Sequence, residues 1–564
     1  MKIVGINYLS ESSVCLLENG KLKFAISQER LNRKKNWYGI PFLSILRLLK
    51  ETKNKISDID YFVTCGLSAL SGDMPDIKHT KNKINKIKKS KLNTNLKKKQ
   101  INFLKKRYKH ENNVINLRTK KIINVLKKKF PNLKVYDHHT SHAASAAFNT
   151  NFKSCYCLTI DGWGDNSSAK IFRFSNGKII ELYRTPTIDS LGYFYGSITK
   201  LLGFKPHQHE GKILGLAAYG NPKKPIRDMS KLISFSKKNM RFNAHYEKGL
   251  YQANFKNRNL KFLKKKYLKK DIAACAQYIL EKVVLDCVRS ITDKKINLVL
   301  AGGTFANVKL NQKIKDLKNV KNIFIYPNMG DGGLCVGAAM LCYYEKTKKL
   351  PKITNNYYLG PEFKNLEILS EIKKFKLQYS LPKNIEKIIA EKLSNGNVVA
   401  HFNGKMEFGP RALGNRSILC SAEDSGINND LNKRLGRTEF MPFAPIILRN
   451  YAKKYFEINN RLEDYKFMTI TCLCKKIMSR NSPAVIHVDN TARPQIIDKK
   501  INLRIYKILN EYKKITNIPV LINTSFNMHE EPIVCSPNDA IRAFIDGNLD
   551  YLVINDFLIR KYNE

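Results

Sequence analysis

Two histidines four residues apart, His138 and His142, would share one face of a helix. That spacing lets two imidazoles hold one metal ion. His139 would face elsewhere, although it forms an i, i+3 pair with His142, and such a group stands out in a chain with 11 histidines. Polar histidines on a helix surface are the alternative, and spacing alone does not choose between the two. A third ligand is needed. Asp331, in the glycine turn Gly330-Asp331-Gly332-Gly333 after a predicted strand, is suited to that role, and would otherwise cap the next helix.

Further loops carry groups suited to phosphate. Asp161-Gly162-Trp163-Gly164-Asp165 ends a predicted strand: glycine lets backbone N–H groups approach phosphate and the acids can hold a cation, although Asp-Gly is also a common hairpin turn. Gly302 and Gly303, after a buried strand, read as a phosphate or nucleoside cradle or as a tight turn. Glu210 and Lys212 place an acid and a base beside glycines, or on a surface turn. In the C-terminal part, Arg411 and Arg416 flank a glycine loop with Lys405 and Glu407 upstream, and guanidinium forks suit phosphate and carbamoyl oxygens. Arg437 follows in a string with Lys433 and Arg434. His487, Asp489 and Arg493 lie at one predicted strand end, and Asn523, Ser525 and Asn527 at another. Any one of these could be a solvated loop. Four such clusters abutting apolar strands read as one convergent anion and nucleotide pocket.

The elements that must position these residues follow from periodicity. Lys2–Tyr8, Ser13–Leu17 and Lys21–Ile26 alternate as strands, with a turn at Glu18-Asn19-Gly20. A Lys-rich block from about Asp76 to Phe130 reads as helices, and the short strand Leu133–Tyr136 runs into the small-residue helix with the histidines. Cys155–Ile160 and Ser167–Phe174 read as strands, Asp271–Ile291 as an amphipathic helix, Asn297–Leu300 and Phe324–Tyr326 as strands, and Leu334–Tyr344 as a helix. Strands followed by glycine turns and helices imply an α/β fold with phosphate-accessible loops. Pro351–Phe363 is the expected linker. Beyond it a second α/β unit is expected, with helix Ile385–Leu393 and strands Val398–Phe402, Ala484–Val488 and Val520–Ile522. No fixed-period internal repeat is visible.

The 564 residues allow two or more domains, and 43% hydrophobic content is that of a globular protein. The N-terminus lacks the features of a signal peptide and no apolar run approaches membrane-spanning length, so a soluble, cytoplasmic protein is expected. The 12 cysteines form no Cys-x-x-Cys pair and read as buried hydrophobes in a reducing compartment. Net charge is +53, and twenty basic residues fall between Lys78 and Lys129 with Glu111 the only acid. A codon-composition effect and a solvated helical insertion together outweigh a landing surface for an anionic partner, and the block has few aromatics for base stacking.

Taken in order, strings such as SQERLNRKKNWYGIP, HHTSHAASAAF, TIDGWGD, HEGKILGLAAYG, LAGGTFANVKLN, GDGGLCVGAA, GKMEFGPRALGNRSI, GRTEFMPFAP, HVDNTARPQ and NTSFNMHEEPIV resemble the carbamoyltransferase family of nodulation-factor and antibiotic tailoring enzymes (NodU/CmcH type). The resemblance covers nearly the whole chain except the Lys-rich block. It implies an ASKHA-type duplicated domain over 1–355, interrupted by a helical insertion at about 76–130, and a YrdC-like α/β domain over 356–564. It implies that carbamoyl phosphate and ATP, with Mg2+, give carbamoyl-adenylate and pyrophosphate, and that the carbamoyl group passes to a hydroxyl of a small molecule, sugar or glycan. By the same resemblance His138, His142 and Asp331 match metal ligands, with Fe(II) or another divalent ion expected, which two His and a carboxylate suit chemically. It assigns Lys405, Arg411 and Arg416 to catalysis. Asp161, Gly162, Glu210, Lys212, Gly302, Gly303, Asn307, Arg437, His487, Arg493, Asn523, Ser525 and Asn527 are assigned to nucleotide and co-substrate binding.

The family usually carries a His where this chain has Leu9, Ser10 and Glu11, and often another where it has Asn36. Glu11 takes over the acceptor-side role, acceptor chemistry differs, or activity is lost. The alternative function is a tRNA-modifying threonylcarbamoyl-type transferase that holds tRNA with the basic block. Nucleic acid is disfavoured as a partner, and a homo-oligomer is compatible with the sequence.

Overall fold

The computed structural model describes every residue except 72–75, 438–439, 459–460 and 562–564; Thr438 and Glu439 of the GRTEFMPFAP string therefore lie outside the described residues. The chain divides into two compact units. The first comprises residues 1–23, 38–41 and 53–353, and the second comprises residues 24–37, 42–52 and 354–564. The division differs from a single cut after residue 355. Arg33 donates to the carbonyls of Pro532 (2.6 Å) and Ile533 (2.8 Å), Arg30 donates to the carbonyl of Gly409 (3.0 Å), and these bonds tie an N-terminal segment into the second unit.

The first unit repeats one topology. Strand Lys2–Asn7 pairs antiparallel with Ser13–Glu18 and parallel with Tyr61–Cys65, which pairs parallel with Leu133–Tyr136; Lys21–Ser27 completes the sheet at the other edge. Strand Ser154–Gly164 does the same with Ser167–Ser175, Lys178–Pro186, Ile296–Ala301 and Val320–Ile325. Three strands in a meander followed by two parallel crossovers, twice over, is the duplicated ASKHA-type α/β architecture. The parallel strands are buried and apolar, as crossover strands covered on both faces must be. Helices His138–Ala147 and Leu334–Thr347 pack closely because Gly337 lets them: a Cβ there would stand 1.8 Å from the carbonyl oxygen of Ser141.

The Lys-rich block is helical, as its composition predicts: Ile77–Lys88, Thr94–His110 and Asn116–Lys129, the last two joined by a π-helical turn over Glu111–Ile115. Lys98, Lys105, Lys106 and Lys128 face solvent. The insertion is pinned by Asp189, a fully buried carboxylate that lies 2.6 Å from His79 Nε2 and accepts from Lys83 Nζ (2.7 Å) and the backbone N–H of Ala244 (2.8 Å). Burial pushes this carboxyl up, but the Lys83 charge and the His79 and Lys83 hydrogen bonds outweigh it and hold it at about 2. A depressed carboxyl stabilises the fold above its unfolded value and ceases to do so as pH falls through its folded value. Between pH 4 and 2 we expect about 2 kcal/mol of stability to disappear through this group. Asp189→Asn should be less stable at pH 7 and should lose that part of the acid dependence, as urea unfolding at pH 7 and pH 3 would show.

The second unit carries a seven-stranded mixed sheet in the order Gln495–Ile497, Ala444–Leu448, Val520–Ser525, Arg416–Cys420, Val399–Phe402, Tyr551–Ile554, Phe557–Arg560. One predicted strand is absent. Residues 484–488 begin in the single turn Pro483–Val485 and continue as loop, since Pro483 supplies no N–H for a ladder. Among the described residues no helix is long and apolar enough to cross a membrane.

Candidate metal centre and phosphate-binding loops

The helix bearing the histidines starts where Asp137 caps it, accepting from Thr140 N–H at 2.8 Å. A run of Ala and Ser lets this helix bury almost its whole surface, and all three histidines go inside with it. His139 is structural: its Nδ1 lies 2.9 Å from Thr159 Oγ1 and its Nε2 3.2 Å from the carbonyl of Ser167. His138 and His142 turn the other way, toward two carboxylates. His138 Nε2 stands 3.7 Å from Asp161 Oδ2 and 3.7 Å from Asp331 Oδ1; His142 Nε2 stands 3.2 and 3.6 Å from the same atoms. Ligand atoms about 2.1 Å from a shared centre are about 3.4 Å apart in a tetrahedron, so the four groups have the spacing of a small divalent-ion site. Both nitrogens of His138 and of His142 are buried without a hydrogen-bond partner, a costly state that an ion would relieve.

Electrostatics agree. Burial and the Asp161 charge push the Asp331 carboxyl up to about 8. Burial also works against ionising Asp161, but the His138 and His142 rings that face it outweigh this and hold that group well below the usual carboxylate range. The pair therefore keeps one proton at neutral pH, in the place where a cation would replace it.

Asp161 was expected at the nucleotide; the structure puts it in the cluster as a fourth donor. A partial signal is present in the sequence: an Asp near the end of one predicted strand and Asp331 in the turn after another, which the fold brings together in one sheet with strand Ile296–Ala301 between them. Glycines make the approach feasible. A Cβ on Gly164 would fall 2.2 Å from the His138 ring, and one on Gly302, whose φ is +102°, would fall 2.3 Å from the carbonyl oxygen of Ile160.

The other first-unit residues fall around this centre. Gly303 N–H points at Asp161 Oδ2 at 3.4 Å, and Gly162 faces open space. Glu210 accepts from the backbone N–H of His207 (2.7 Å), fixing a loop close enough to Asp161 for its charge to act on the His207 ring. Lys212 is buried. Asn307 serves as a helix cap, accepting from Leu310 N–H (3.0 Å), and its amide pairs with Gln277, so its polar groups are already engaged. Glu11 accepts from Gly332 N–H (3.2 Å) in the Asp331 loop, with φ at +52°. That contact makes it a support of the loop.

In the second unit the four polar strings do converge. Asn523 donates to Gln495 Oε1 (2.6 Å), Gln495 donates to the Leu413 carbonyl (2.8 Å), and Arg437 reaches Thr524 Oγ1 (2.9 Å), the Ser525 carbonyl (2.8 Å) and Asn527 Oδ1 (3.1 Å). Arg411 and Arg493 are half-buried, His487 is buried, and Lys405 is exposed. Arg416 corrects the sequence reading. It is fully buried over the Phe402 ring and donates to the carbonyls of Asn403 (3.0 Å), Asn415 (2.9 Å), Gly404 (3.0 Å) and Pro361 (3.4 Å). A guanidinium so enclosed holds the loop and has no reach to a substrate. Glu407 does the same from its other side, accepting the N–H groups of Leu413, Asn415 and Arg416 on one oxygen.

Comparison with known proteins gives a consistent result. The family model described as Carbamoyltransferase N-terminus matches residues 2–340, and that described as Carbamoyltransferase C-terminus matches residues 390–561. An uncharacterized protein of Methanocaldococcus jannaschii is 33% identical over 99% of both chains. The nodulation protein NolNO of Sinorhizobium fredii is 29% identical, covering 98% of this chain and 79% of its own. Nodulation protein U of the same organism is 25% identical over 100% of this chain and 99% of its own.

Proposed function

The chain belongs to the carbamoyltransferase family and is a transferase enzyme, and on that premise we propose that it is an ATP-dependent O-carbamoyltransferase acting through carbamoyl-adenylate. The observation that supports this most is the cluster of His138, His142, Asp161 and Asp331, in which two buried imidazoles make no hydrogen bond and face two carboxylates at the spacing of a metal site. Water attacks carbamoyl phosphate, its oxygen stays with carbamate, and orthophosphate leaves with a proton released. A carbamate oxygen attacks the α-phosphorus of ATP and pyrophosphate leaves. An acceptor hydroxyl then attacks the carbamoyl carbon, its proton is lost, and AMP departs. Activation suits the chemistry, because a mixed anhydride with AMP offers a better leaving group to a sugar alcohol.

Adenylate formation concentrates negative charge, and Lys405, Arg411 and Arg493 of the second unit would neutralise it with Mg2+. Arg437, Asn523, Ser525 and Asn527 form the polar floor on which a nucleotide would lie, and Arg416 and Glu407 keep the glycine loop in shape. In the first unit, His138, His142, Asp161 and Asp331 would hold iron(II) or another divalent ion, which when bound supplies positive charge for phosphate and carbonyl oxygens. The N–H groups of Gly162 and Gly303 donate to Asp161 and would orient that carboxylate toward the ion. The acceptor is a small-molecule or glycan hydroxyl, and the protein works in the cytoplasm. The tRNA alternative gains nothing from relatives that match both halves as carbamoyltransferases.

The test is pyrophosphate release from ATP with and without carbamoyl phosphate. Release should depend on carbamoyl phosphate and fall at least about 100-fold in Arg411→Ala, the loss of one preorganised charge-stabilising donor. Release that ignores carbamoyl phosphate would overturn the reading.

A further inference from the structure

A narrow cleft, partly open to solvent, borders His138 of the candidate metal centre. Part of its wall is Trp163 and Asn166, from the same turn as Asp161. Another part is Glu111, Asn116 and Thr119, from the Lys-rich insertion. The insertion therefore has a second face. Lys98, Lys105, Lys106 and Lys128 point to solvent, while its π-helical turn, a rare distortion often found at functional sites, turns Glu111 inward. Thr119 closes the cleft against Gly66, where a Cβ would stand 2.8 Å from its methyl. Glu111 is 4% exposed; Oε1 accepts from Arg107 Nε at 2.6 Å, and Oε2 has no partner among the described residues. No Lys or Arg is among the residues lining the cleft, and its acids are Glu111 and Asp165. Asp165 is already saturated, accepting from the N–H groups of Leu67, Ser68 and His138 and from Ser68 Oγ.

We propose that this cleft seats the acceptor and that Glu111 sets the acceptor's charge, admitting hydroxylated rings that are neutral or carry an ammonium group and turning away those that carry a carboxylate. The proposal rests on the carbamoyl-transfer reading of the same centre. An indole face, amides and hydroxyls suit a ring with C–H and O–H edges, and the open Oε2 accepts from a ring hydroxyl or ammonium. A carboxylate entering beside it meets the Glu111 carboxylate, while the nearest guanidinium, Arg107, is engaged on Oε1 and lies outside the lining. The strongly basic outer surface does not decide the matter, since solvent-exposed charges beyond about 10 Å are screened at physiological salt.

Trp163 offers a readout free of catalysis, because the chain has two tryptophans and Trp37→Phe leaves Trp163 alone. The fluorescence of that protein would be titrated at 0.15 M salt with methyl glucoside, methyl glucosaminide and methyl glucuronide, which share a ring and differ in charge. The glucuronide should bind at least about tenfold more weakly than the glucoside. Glu111→Gln should shrink that gap to within about threefold, and Asn116→Lys, a partly exposed position that tolerates the change if Glu111→Gln does not fold, should strengthen glucuronide binding about tenfold. Equal binding of glucoside and glucuronide by the parent protein, no fluorescence change with any of the three, or a gap unmoved in both variants would overturn the proposal. Pyrophosphate release by the same parent preparation separates the two claims: its absence counts against carbamoyl transfer, whereas the binding ratio bears on Glu111 alone.

Discussion

His142→Ala should leave a folded protein that no longer retains a divalent ion and that transfers carbamoyl groups at least about 100-fold more slowly than the native chain. Loss of a supporting partner around a metal ligand already costs 10–100-fold in affinity, so loss of a ligand costs at least that. The substitution also leaves His138 Nε2 facing Asp161 and Asp331 at 3.7 Å with one fewer donor, too few to outbid solvent for an ion. Metal analysis after gel filtration gives the readout that does not depend on activity: close to one ion per chain in the native protein and close to none in the variant. An unchanged metal content would show that the ion, if any, sits elsewhere.

The second large effect is on stability. Arg416→Ala should destabilise the second unit by about 3–5 kcal/mol, the range for breaking a buried charged network. Four carbonyls lose their donors, Phe402 loses the cation over its face, and Glu407 remains buried with one charge uncompensated. Arg416→Lys should recover only part of this, because an ammonium has three donors and no plane to lie on the ring. Urea unfolding measures it. Native stability with lost pyrophosphate release would instead place Arg416 at the substrate.

These two residues mark where sequence reading succeeds and where it stops. The His pair and Asp331 were legible because helix period and a strand-end glycine turn are local. Asp161 belongs to a string suited to phosphate, yet its meeting with Asp331 depends on strand Ile296–Ala301 lying between Ser154–Gly164 and Val320–Ile325, more than a hundred residues on. Arg416 departs from the expectation of a phosphate-facing guanidinium because residue type does not reveal whether a guanidinium finds carbonyls or solvent. The duplication left no sequence period because the two copies differ in their insertions, and only strand order exposes it. Residues 24–37 join the second unit through long-range bonds from Arg30 and Arg33, and residues 42–52 through Arg47 over the Phe363 ring, none of which a local pattern announces.

The central claim is that the enzyme activates a carbamoyl group as an adenylate, and reversal of that step tests it most directly. Labelled pyrophosphate should pass into ATP when carbamoyl phosphate is present and not when it is withheld. Exchange that proceeds equally without carbamoyl phosphate, or no exchange by metal-loaded native protein, would contradict the account.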